Sequence, residues 1–204
     1  MAIWWNPSRG ATLGVEWELQ LIDAASKLLR QDAREVISAL RGRDEAGPQP
    51  KIHDELMQST VEVVTGVCST VSEAVADLAA TIADLQRITD MRGTMLACAG
   101  THPVSDWRDA KMVPVQRYAE LVEQMQWLAR RIQTFGVDVH VGLRDGSKAI
   151  PIVNALAAYL PHFPGADRVE PILGRARHRA RLEQGGHLRR VADRRSAATA
   201  GGLE

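Results

Sequence analysis

Glu16 and Glu18 stand two apart in the stretch 13–21, where Leu13, Val15, Trp17, Leu19 and Leu21 alternate with Gly14, Glu16, Glu18 and Gln20. That period of two is the pattern of a strand with one buried face. Side chains two apart on a strand point the same way and lie roughly 6.5–7 Å apart, so both acids leave the polar face side by side. Carboxylates at that spacing suit divalent cations of the kind that handle phosphates. An amphipathic strand whose acids merely face water has the same pattern.

Other parts of the chain offer partners for these acids. Residues 56–65 are rich in β-branched types and read as a strand with Gln58, Thr60 and Glu62 on one face and Met57, Val61 and Val63 on the other. Glu55 has the opposite parity and joins Glu62 only if the start of the strand re-aims it. Residues 136–143 repeat the opening design, with valines alternating with Asp138, His140 and Gly142. His140 therefore leaves a polar face as the acids do, although a lone strand histidine also serves as a hydrogen-bonded structural group. Arg108, in Asp106-Trp107-Arg108, carries the planar fork that suits a carboxylate or phosphate, and equally reads as a surface arginine. His102, before Pro103, reads as a turn-fixing residue.

Several elements must position these groups. Residues 31–40 form a short amphipathic helix with Val36, Ile37 and Leu40 inward. Thr70 and Glu73 make a capping box that opens a helix with Val71, Val75, Leu78, Ile82, Leu85 and Ile88 inward, ending near Gly93. Residues 94–99 read as a short buried strand. A long helix is predicted over 115–135, with Tyr118, Leu121, Val122, Met125, Leu128 and Ile132 inward. Another covers 148–160, with Pro151 in its opening turn. Strands with helices packed on one side make an α+β fold.

The 204 residues suffice for one domain with a real core, and the formal net charge of zero gives no global field toward nucleic acid or membrane. No secretory pattern or membrane-spanning apolar run is visible, so a cytoplasmic protein is expected. Cys68 and Cys98 sit in apolar contexts and read as buried thiols.

Taken together, Gly14-Val15-Glu16-Trp17-Glu18, 61–68, Gly100-Thr101-His102-Pro103, Asp106-Trp107-Arg108 and Val139-His140-Val141-Gly142 resemble, in order and spacing, the glutamate–cysteine ligase type 2 family of carboxylate–amine ligases. The resemblance covers about 12–163. It implies a glutamine-synthetase-like catalytic fold, with a curved, mostly antiparallel sheet, helices behind it and the site in its concave face. It also implies that ATP and Mg2+ are used to join the γ-carboxyl of glutamate to the amine of cysteine, or to another amine, through a γ-glutamyl phosphate. On this resemblance Glu16, Glu18, Glu62 and His140 would be metal ligands, while Arg108, Glu55 and Gln58 would meet substrate or phosphate.

This sequence departs from the family pattern at three places. Trp17 replaces an acid between the two glutamates, and Asp138 replaces a histidine on the face of His140. Where the family continues, residues 164–204 are rich in Arg, Ala and Gly, with arginines at 168, 175, 177, 179, 181, 189, 190, 194 and 195. The expectation is a ligase domain over 1–163, truncated or shifted in frame, followed by a disordered tail with too little apolar surface to fold. Two alternatives follow from that tail: a non-catalytic remnant of the enzyme, or an arginine-tail nucleic-acid binder. The second is disfavoured by the absence of aromatic interleaving.

Overall fold

The computed structural model describes residues 5–41, 51–126, 129, 133–162, 172–173 and 176–177. The architecture is α+β. A five-stranded antiparallel sheet is built from β1 (Thr12–Asp23), β2 (Ile52–Asp54), β3 (Thr60–Val64), β4 (Thr94–Ala97) and β5 (Val137–Gly142). Among the described residues four α-helices accompany it: α1 (Ala33–Arg41), α2 (Val71–Met91), α3 (Gln116–Met125) and α4 (Ala149–Ala157). β6 (Ile172–Leu173) and β7 (Ala176–Arg177) pair with each other, and the rest of 164–204 lies outside the described residues.

β1 is the strand on which the others are hung. Along one edge it pairs with β3, which in turn pairs with β2. Along the other its C-terminal half pairs with β4 and its N-terminal half with β5. One strand of 12 residues can serve three neighbours because two of them are short and share an edge.

The alternation seen in the sequence sets the two faces. Leu19 and Leu21 of β1 and Val61 and Val63 of β3 pack with Ala33, Val36 and Ile37 of α1 and with Leu85 and Ile88 of α2, and Leu21, Val61, Val63 and Leu85 have no exposed surface. Burying each such side chain contributes roughly 1.5–3 kcal/mol. Trp17 and Leu40 pack against the same cluster.

α2 starts as its sequence foretells. Thr70 Oγ1 accepts the N–H of Glu73 at 3.1 Å, and the Glu73 carboxylate accepts the N–H of Ser69 at 2.7 Å. Gly93 follows its end with φ of 64°, a conformation glycine adopts without steric penalty. Its inward stripe differs from the expected one at the start: Ala74 is buried, while Val71 and Val75 are 69% and 59% exposed. The small residue, not the valines, takes the contact in the opening turns.

Other boundaries are corrected. The strand expected over 56–65 begins only at Thr60, because Met57 forms an isolated bridge with Met112 and the chain turns through Gln58 and Ser59. β2, three residues long after a Gly- and Pro-rich stretch, had no readable period. The helix expected over 115–135 is described only for Gln116–Met125, and Gln126, at φ of 49°, ends it. Leu128 and Ile132 lie outside the described residues. β4 stops at Ala97, its last residue paired with β1, so Cys98 falls in the loop beyond and is exposed; Cys68 is buried. His102 fixes its turn as expected, its Nδ1 accepting the N–H of Ser105 at 3.0 Å.

Candidate metal and ligand site

In an antiparallel ladder directly opposed residues share a face. Glu18 lies opposite Glu62, Gln20 opposite Thr60, and His53 opposite Glu62. Across the other edge Glu16 lies opposite Asp138 and Gly14 opposite His140. The polar face of the sheet therefore gathers Glu16, Glu18, Glu62, His53, Asp138 and His140.

Within this gathering the carboxylates sort into two groups. Glu18, Glu55 and Glu62 bring ligating oxygens within 4.8 Å of one another. Glu16 instead meets His140, with Nε2 to Oε2 at 3.2 Å. Glu55 reaches its cluster because β3 begins late: it sits in the link between β2 and β3, free of strand parity, and accepts the N–H of Leu56 at 3.1 Å. The re-aiming that the sequence required is supplied by that link.

The electrostatics follow from crowding. Partial burial pushes the Glu62 carboxyl up to about 7, and the negative charges of Glu55, Glu16, Glu18 and Asp138 push the same way. Burial also raises Glu18, opposed by the N–H of Gly136, which donates to Glu18 Oε2 at 2.7 Å. Asp138 acts on both as an added repulsive charge. Three oxygen donors under mutual repulsion fit a hard divalent cation, which takes carboxylate ligands and relieves that charge.

A cavity of 850 Å³ opens beside the cluster, over the polar face of β1, β3 and β5. Its wall includes Glu16, Glu55, Glu62 and His140 and, unforeseen from the sequence, His53 and Arg117. On β1 the lining runs from Thr12 to Glu16. Beyond it Gln20 is 1% exposed, and its amide donates to the carbonyl of Ala99 at 2.8 Å. His53 was hidden in a strand too short to show a period. Arg117 gave no signal, because the apolar period of 115–135 does not show what a polar residue of the opening turn faces.

Two of the expected substrate residues are not brought to this cavity's wall. Arg108 stacks on Trp107, 4.7 Å from the ring centroid, and pairs with Asp106 at 3.1 Å. Gln58 lies in the turn before β3, its amide donating to the carbonyl of Met112 at 2.9 Å.

The sequence profile of the family described as glutamate–cysteine ligase family 2 matches residues 12–164. The chain belongs to that family. It is 61% identical over 163 residues to a Thermobifida fusca protein provisionally named glutamate–cysteine ligase 2, a match covering 80% of this chain and 41% of that protein. Similarly named proteins from Frankia alni and Mycobacterium ulcerans are 49% and 42% identical over 163 residues, covering 80% of this chain and 43% and 40% of theirs. The chain thus spans about two fifths of the length of these relatives. The matched region contains the whole carboxylate cluster. Among the described residues no helix is long and apolar enough to cross a membrane.

Proposed function

We propose that this chain carries the metal-binding half of an ATP-dependent carboxylate–amine ligase that forms γ-glutamylcysteine from glutamate and cysteine. The observation that carries this reading is the trio Glu18, Glu55 and Glu62 at the edge of the 850 Å³ cavity in a chain of the glutamate–cysteine ligase 2 family. The antiparallel sheet with helices against one face is compatible with the glutamine-synthetase-like fold that the reading entails. The reading also places the protein in the cytoplasm, where ATP and reduced thiols are available.

A carboxylate is a poor acyl donor, so ATP must first phosphorylate it, and the amine then displaces phosphate from the γ-glutamyl phosphate. Negative charge converges in both steps. Mg2+ bound at the trio would neutralise phosphate oxygens as charge moves between them. The chain's own residues hold that position: Gly136 fixes Glu18 through its N–H, the turn through Gln58 and Ser59 leaves Glu55 free to approach, and the ladder sets Glu62 opposite Glu18. His140, against Glu16, adds an imidazole at the cavity wall, where it would meet phosphate or metal-bound groups.

One observation favours a second reading, a non-catalytic remnant. Val137, Val139 and Val141 of β5 share the face on which β1 packs its apolar side chains, yet are 58%, 63% and 67% exposed. Nothing among the described residues covers them. Purified protein incubated with ATP, Mg2+, glutamate and cysteine separates the two. ADP release that requires both amino acids supports the ligase, and no release from a folded sample leaves the remnant.

A further inference from the structure

Resting on the ligase reading above, we propose that Arg117 is an anion-binding residue of the cavity, taking a carboxylate or phosphoryl group of a ligand whose other anionic groups lie toward the acidic trio. Arg117 is the second residue of α3 and the sole Arg or Lys among the described residues of the cavity wall. Its guanidinium lies over the ring of Tyr118, 4.4 Å from the centroid, and one Nη2–H donates to the Tyr118 hydroxyl. Tyr118 is itself 8% exposed, and its hydroxyl donates to the carbonyl of Asp54 in β2 at 3.4 Å. The arginine is thus tied to the sheet through a buried ring.

Among the described residues the rest of the guanidinium makes no hydrogen bond or ion pair, and Glu55 and Glu62 attract its charge only from beyond ion-pair distance. Among the described residues no carboxylate lies within ion-pair distance of Arg117, and its hydrogen bond to Tyr118 is the one it makes. An arginine has five N–H donors in a rigid fork that matches two oxygens of one anion. Glu16, Asp54, Glu55 and Glu62 make the remainder of this wall acidic, so an anionic ligand there needs a fixed positive group in addition to any bound cation. Stacking and the Tyr118 hydrogen bond pre-orient the fork, which lowers the entropy lost on binding. A phosphate of the nucleotide and a carboxylate of the amino acid present the same two-oxygen edge.

The test uses the full chain. Mn2+ binding is followed by electron paramagnetic resonance; AMP-PNP and L-glutamate are then titrated separately by calorimetry with Mn2+ present. Arg117→Ala is expected to weaken one of the two ligands by roughly ten- to a hundredfold, the range for a charge-assisted pair. Which ligand weakens identifies the source of the anion. Arg117→Lys should recover part of the loss, and Mn2+ affinity and the thermal midpoint should stay near wild type, which a merely structural role for the Tyr118 stack does not predict. The assignment is overturned if Arg117→Ala binds both ligands like wild type, or if the wild type binds Mn2+ but neither ligand. Arg117-dependent binding without Mn2+ binding would sustain the assignment and refute the metal centre; binding of neither ligand nor Mn2+ refutes both.

Discussion

Glu18 and Glu62 face each other across the β1–β3 ladder but are supported unequally: Glu18 accepts the N–H of Gly136 at 2.7 Å, whereas Glu62 accepts no hydrogen bond from any described residue. Burial and like charges therefore act on Glu62 without relief, and its carboxyl is the one pushed up to about 7. The unequal support makes Glu62 the proton-sensitive member of the pair.

A pH dependence of stability follows. The unfolded Glu62 titrates near 4.5 and the folded one near 7, so between those values the native state holds more protons than the unfolded chain. Stability must then fall as pH rises from about 4.5 to about 7, and Glu18, also raised, acts in the same direction. Asp23 and Asp77 are lowered, so their contribution is lost only below about pH 4, outside this window. Thermal midpoints measured in EDTA should drop across this range. Excess Mg2+ should reverse the drop at pH 8, and a midpoint flat with pH would contradict the crowding.

Glu62→Gln should raise the EDTA midpoint at pH 8 and leave it unchanged at pH 4.5. After allowance for solvent screening the gain is about 1 kcal/mol, on the order of 2–4 °C in a chain of this size. The same substitution should weaken Mn2+ binding. A variant no more stable than wild type at pH 8 would show that water already relieves Glu62.

The two carboxylate groups can be told apart by metal affinity. Glu55→Gln, within the trio, should weaken Mn2+ binding by about tenfold or more, equivalent to about 1.4 kcal/mol. Glu16→Gln, at the His140 contact, should weaken it less. Equal losses, or the reverse order, would move the metal toward Glu16 and His140.

The packing distinguishes the two ends of the sheet. Leu21→Ala removes a side chain with no exposed surface and should cost about 2–5 kcal/mol in urea unfolding. Val139→Thr changes a side chain that is 63% exposed and should shift stability by no more than about 0.5 kcal/mol. A large effect at Val139 would mean that another surface, such as a second copy, covers β5.

Thiol reactivity checks the loop after β4. With an aromatic disulfide reagent, Cys98 should react at once in the native protein and Cys68 only after denaturation. Two slow thiols would restore the buried strand expected over 94–99.

Much of this arrangement was legible because strand parity is a strict rule. The alternation around Glu16 and Glu18 gives both β1 and its polar face, and the valines around His140 give β5. Thr70 and Glu73 announce the start of α2. Parity also explains the failures. It governs only residues within a strand, so Glu55, in a link, had no readable direction until the late start of β3 was known. His53 sits in a strand of three residues, too short to show a period, and Arg117 reaches the cavity through α3, whose placement against β2 depends on a long-range contact between Tyr118 and Asp54. The expected burial of Cys98 failed because an apolar neighbourhood in sequence does not fix where a strand ends.

The burial of Gln20 gives the cavity a direction. Its side-chain amide is fastened to Ala99 and, with Thr60 buried opposite it, stoppers the polar face just past Glu18. The open cavity lines β1 only from Thr12 to Glu16, so the buried Gln20 marks the limit of the polar face at that end. A ligand long enough to follow β1 would therefore extend away from the trio toward Gly14 and His140 and not toward Gln20.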